Sequence, residues 1–132
     1  MNAFAARFLY ALDAPLPRDV VVAYVQALVC VARANGIVES ELSIVQGVAE
    51  ILGAPPRTVS RVLADKEAAA FDRALAALAP YVRLRCMLYR DALLVMRADG
   101  RVSPEEKALL MRLSTQLGLD REQRIEATLA AD

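Results

Sequence analysis

The 132-residue sequence contains no histidine and no tryptophan. Without an imidazole there is no ordinary serine or cysteine triad, no usual zinc hydrolase centre and no side chain whose charge changes near neutrality. No glycine-rich phosphate loop follows a strand, and no alternating strand pattern stands out, so nucleotide chemistry has no foothold. The expectation is a protein that is not an enzyme and carries no resident cofactor.

Other shortages narrow the reading further. Cysteine occurs only as Cys30 and Cys86, which lack metal-ligand spacing and a disulfide framework. They read as buried thiols of a reducing compartment, with a redox pair as the alternative. Net charge is also lacking, since Lys plus Arg and Asp plus Glu each number sixteen. That balance removes any global attraction to a polyanion or an acidic membrane surface. The most apolar run, 20–32, contains Gln26 and is shorter than the roughly 20 residues needed to span a bilayer. No basic leader with a cleavage site opens the chain, and a cytoplasmic location is expected.

What is abundant is apolar and helix-forming. The apolar fraction is 57%, and 25 residues are alanine, the best helix former. Five glycines and six prolines punctuate a chain of single-domain length. An all-α domain of about seven helices follows, with an amphipathic helix and linker at 1–16 and a helical domain at 17–132.

Phe4, Phe8 and Leu12 recur one turn apart in the first segment. Such a stripe packs onto the body or lies in a membrane interface. Beyond Pro15 and Pro17, helices are expected over 18–34, closed by Asn35-Gly36, and over 40–52, closed by Gly53. Pro55 and Pro56 restart the chain into a short helix through Leu63, and 67–78 is helical up to Pro80. Leu84, Leu88, Ala92 and Val95 share one face of a helix over 82–98, which ends at Asp99-Gly100. Ser103 and Glu106 have capping-box spacing, with Pro104 suited to the first helical position. That helix runs to Gly118, and Asp120 with Gln123 repeats the box for a last helix to about Ala130.

Sliding the chain along itself by 64 residues places Val31, Arg33, Ala34, Gly36 and Val38 on Val95, Arg97, Ala98, Gly100 and Val102. After a one-residue insertion, Glu41, Leu52 and Gly53 fall on Glu106, Leu117 and Gly118. Four of the five glycines thus mark two equivalent pairs of helix ends, and duplication of a helix-loop-helix unit follows, with units at about 20–63 and 84–130.

Three stretches carry candidate chemistry. The loop from Asp99 to Glu106 imitates the second half of an EF-hand, but the first and third ligand positions would fall on Val95 and Arg97, which cannot hold a hard cation. Its acidic residues read as helix caps or as a weak divalent-cation surface of Asp99, Glu105, Glu106, Glu39 and Glu41. Arg83, Arg90 and Arg97 recur every seven residues and share a helix face, either simply solvated or contacting phosphate or an acidic partner. The stretch 48–63, VAEILGAPPRTVSRVL, resembles the helix-turn-helix of lac-repressor-type regulators. As a DNA reader it would turn Thr58, Ser60 and Arg61 to the major groove. Zero net charge, with Asp65, Glu67 and Asp72 close by, argues against that use.

The paired segments ARANGIVESELSIVQGVAEILG and MRADGRVSPEEKALLMRLSTQLGLD resemble the signature of the TerB-like superfamily, which includes tellurite-resistance TerB proteins and the amino-terminal domain of the co-chaperone DjlA. In that pattern an apolar helix ends in ADG, a capped start follows with a glutamate, and the next helix closes at LG. The second segment fits closely, and the first carries Asn35 in place of aspartate. The resemblance spans about 20–130. It implies two similar helical hairpins about a pseudo-twofold axis, a role in stress or tellurite resistance, cation binding by acidic surface residues, and assembly with partner proteins. A protein partner is therefore expected and nucleic acid is not, while peripheral membrane association and homo-oligomerisation stay open.

Overall fold

The computed structural model describes residues 16–33, 38–98, 100 and 102–131. The expected helix within 1–16, the Asn35-Gly36 stop and Asp99 lie outside or largely outside these residues. Seven helices and no strand occur in the described chain: α1 Arg18–Arg33, α2 Glu39–Ile51, α3 Thr58–Ala64, α4 Ala70–Leu78, α5 Val82–Met96, α6 Pro104–Gln116 and α7 Arg121–Ala131. The all-α single domain read from the sequence is what forms.

α1 is the most apolar element, and eleven of its sixteen residues are buried. A helix apolar on every side must lie inside the structure, and α1 is accordingly covered by α2, α3, α4 and α5. α5 crosses it and carries α6 and α7 on its other flanks. Tyr24, Val25, Ala27 and Leu28 of α1 meet a core that includes Leu84, Leu88, Ala92 and Val95 of α5, the four residues whose spacing marks one face. α1–α2–α3 and α5–α6–α7 therefore share one plan, a central helix against which the next two helices of its unit pack.

The helix stops repeat as well. Gly53 and Gly118 have φ of 77° and 67°, a left-handed conformation that glycine enters without steric cost. Around each, the amide of the glycine bonds the carbonyl three residues back, Glu50 or Thr115 at 3.0 Å. The next amide bonds five residues back, from Ala54 to Ala49 at 2.9 Å and from Leu119 to Ser114 at 3.0 Å. This paired pattern satisfies the last carbonyls of both helices in the same way.

One boundary departs from the periodicity. The helix expected from residue 67 starts at Ala70 because the Asp65 carboxylate accepts the Glu67 amide at 3.1 Å. A side chain that captures a backbone amide two residues on favours a turn over a helix.

Candidate functional site

At the starts of α2 and α6 the two units build equivalent ends. Ser103 Oγ accepts the Glu106 amide at 3.1 Å, and Glu106 Oε1 accepts the Ser103 amide at 3.0 Å. In the first unit Glu41 Oε1 accepts the Val38 amide at 3.4 Å, while Val38 has no side-chain acceptor to return. Glu41 and Glu106 are each only 7% exposed. This corrects their assignment to an acidic surface, because both carboxylates are turned onto backbone amides at helix starts, where the helix dipole also favours them. Glu39 and Glu105 are exposed, and Asp99 lies outside the described residues. Among the described residues no three carboxylate or thiolate side chains gather as a metal ion requires.

The arginine periodicity of α5 is resolved differently from a solvated face. Arg83 and Arg97 are exposed, but Arg90 is fully buried. Its Nη2 and Nε donate to Oδ1 of Asp91 at 2.7 and 3.0 Å, and Tyr24 Oη donates to Oδ2 of the same carboxylate at 2.5 Å. Asp91 and Tyr24 are also fully buried. A buried charge needs a partner and further hydrogen bonds to be tolerated; here the carboxylate has both, and the set bridges α1 to α5. The repeat gives no second copy, because Tyr24 corresponds to Leu88 and Asp91 to Ala27. This cluster joins the two units and does not face solvent as a catalytic or binding group would.

In the helix-turn-helix stretch, Thr58 is buried and its hydroxyl donates to the Pro55 carbonyl at 2.6 Å. It therefore cannot face a DNA groove, while Ser60 and Arg61 are exposed. Arg57 enters α3 with φ 72°, and α3 extends for only seven residues. Arg33 closes the other end, donating to the carbonyls of Asp65 at 2.8 Å, Val62 at 3.2 Å and Leu63. Proline, a left-handed residue and a borrowed guanidinium thus hold this short helix as a capped turn of the first unit.

The surface that sequence reasoning missed lies on the second unit. Tyr89 of α5, Met111 of α6 and Arg121, Arg124, Ile125, Thr128 and Leu129 of α7 line an open groove of about 350 Å³. Met111, Ile125 and Leu129 are 56%, 50% and 67% exposed. An isolated exposed apolar side chain means little, but three grouped around one groove mark a surface suited to association. Arg121 and Arg124 stand on the same face of α7, so the groove is apolar with a cationic edge. The spacing of Ile125 and Leu129 is the available signal, but by residue type both read as core, of which only Ala127 of α7 is part.

Cys30 and Cys86 are free thiols and half-buried, not sealed in the core as expected. Burial pushes the Cys86 thiol above its ordinary value of 9.0; Glu126 and Asp120 push the same way and Arg85 opposes them. No helix of the described chain is long and apolar enough to cross a membrane. Compared with known proteins, the chain shows no significant match to any family model, curated protein or solved structure.

Proposed function

We propose that this chain is a TerB-like interaction module that binds a protein partner in the groove between α5, α6 and α7. The observation that carries the reading is the exposed trio Met111, Ile125 and Leu129 beside Arg121 and Arg124. Such a groove suits an amphipathic helix, with apolar side chains at helical spacing for the trough and acidic residues for the arginine edge. The doubled helix-loop-helix layout supports the TerB-like part of the proposal, and a role in tellurite or general stress resistance comes with it.

The test is affinity capture with the wild-type chain and with an Ile125→Asp, Leu129→Asp variant, checked by circular dichroism. Both positions are exposed, so the variant should melt like wild type. Partners recovered on wild type and lost on the variant, with capture weakening as salt rises, support the reading. Equal recovery on both proteins overturns it.

A further inference from the structure

Two hydroxyls line the groove between α5, α6 and α7, and they differ in how they are satisfied. Thr128 Oγ1 donates to the Arg124 carbonyl at 2.7 Å, within its own helix. Tyr89 is only 6% exposed, yet its hydroxyl has no hydrogen-bond partner among the described residues. The oxygen is not sealed from water either, so it opens on the groove that Tyr89 lines. Tyr24, also buried, shows the contrast, because its hydroxyl engages Asp91.

The two guanidiniums at the edge are in the same condition. Neither Arg121 nor Arg124 pairs with a carboxylate among the described residues, where the ion pairs use Arg73 and Arg90. The common plan of the two units does not call for these groups. In the register of the repeat, Tyr89, Arg121 and Arg124 fall on Val25, Pro56 and Val59, so the first unit sets neither a hydroxyl nor a guanidinium at these places. An unpartnered hydroxyl and two unpaired cations on one apolar groove are the donors that a carboxylate accepts.

An occupant that is apolar along its whole length would bury the Tyr89 hydroxyl without a partner and lose part of what the apolar contact contributes. An occupant with one acid among its apolar side chains satisfies the hydroxyl and neutralises the arginines. A second copy of this chain does not meet that need, because a twofold pair through the groove brings the same two arginines from each side. We infer that the partner's docking segment carries an aspartate or glutamate within its apolar face, whose carboxylate accepts a hydrogen bond from Tyr89 Oη while Arg121 and Arg124 balance its charge. Tyr89 then sets the acid specificity of the groove. This rests on the reading of the groove as a docking surface for a protein.

The test starts from phage-displayed random peptides selected on the full-length chain, with the Ile125→Asp, Leu129→Asp variant for counter-selection. Selected peptides carrying fluorescein are titrated by anisotropy against wild type and Tyr89→Phe. Apolar peptides with one acidic residue are expected, and Tyr89→Phe should weaken their binding by about 10- to 100-fold, the range for a hydrogen bond to a charged group. Wild type and Tyr89→Phe should bind alike once the acid of the peptide is replaced by alanine. Because the hydroxyl has no partner inside the chain, Tyr89→Phe should melt at or above the wild-type temperature; a lower value would reveal an internal partner and overturn the inference. Peptides without an acid, or peptides that bind wild type and Tyr89→Phe equally, also overturn it while leaving the groove a docking surface. Peptides that fail to distinguish wild type from the counter-selection variant overturn the docking reading itself. Tyr89-dependent sedimentation with phosphatidylglycerol vesicles, in place of peptide binding, assigns the anion to a lipid and overturns the inference as well.

Discussion

Tyr24 and Asp91, 67 residues apart in sequence, share a 2.5 Å hydrogen bond at the fully buried crossing of α1 and α5. The tyrosine hydroxyl and the Arg90 guanidinium approach opposite oxygens of one carboxylate. Removing the hydroxyl leaves that carboxylate with one fewer donor where water does not replace it. Tyr24→Phe should therefore lower unfolding free energy by about 1.5–3 kcal/mol, the range for hydrogen bonds to charged groups. Asp91→Ala, which strands a buried guanidinium, should cost about 3–5 kcal/mol. Urea denaturation of the two single variants and the double variant gives the coupling, and additive losses would show that the residues do not act together.

The two capping sites differ by one atom of consequence. Val38 occupies the first-unit cap position with extended backbone, φ −106° and ψ 161°, and Ser103 occupies the second with φ −71° and ψ 161°. Val38→Ser supplies the missing acceptor at a position already exposed. A gain of roughly 0.5–2 kcal/mol is expected, with a similar loss for Ser103→Ala. Thermal melts compare them directly; a destabilised Val38→Ser protein would mean that the valine side chain holds this end by packing.

Glycine substitutions should separate by backbone conformation. Gly47 lies within α2, with open space where a Cβ would be placed. Gly47→Ala is expected to stabilise by about 0.5–1 kcal/mol. Gly100 has φ 87°, and Gly100→Val imposes strain of about 1–3 kcal/mol. Equal melting temperatures for the two variants would contradict the left-handed turn after α5.

Cys86 supplies a pH dependence of defined sign. Its thiol is held above its ordinary 9.0, so the folded protein favours the neutral form more than the unfolded chain does. The associated stability is complete below pH 9.0 and disappears as pH climbs through the raised folded value. Chemical denaturation at pH 8 and at pH 10 should show a decline that is smaller in Cys86→Ala. An identical decline in the variant would assign the loss to other groups.

The sequence made the fold legible because its signals were local. Alanine content, the stops at Gly53, Gly100 and Gly118, and the Ser103–Glu106 spacing each act within a few residues, and each reappears in the structure at the expected place. The candidate sites were less legible because burial is a property of the assembled core. Arg90 shares a heptad spacing with Arg83 and Arg97, and nothing nearby in sequence marks that Tyr24 waits for its neighbour on another helix. Of the two readings the sequence left for Glu106, helix cap or cation surface, its spacing from Ser103 favoured the cap that forms; Glu41 carried no such mark, because Val38 offers no side-chain oxygen, and its inward turn onto the Val38 amide shows only in the fold. Conversely, Ile125 and Leu129 look like core residues by type and are exposed because α7 meets α5 through a narrower face.

The Tyr24–Asp91 bridge also makes the halves complementary and not interchangeable. Were the first half to pair with its own duplicate, Tyr24 would meet Ala27 and its hydroxyl would lose the carboxylate. Were the second half to do so, Asp91 would be pressed against Leu88 with its charge enclosed. Severed fragments of this chain should therefore reassemble as a mixed pair and reject like pairing, each half fitting only the other.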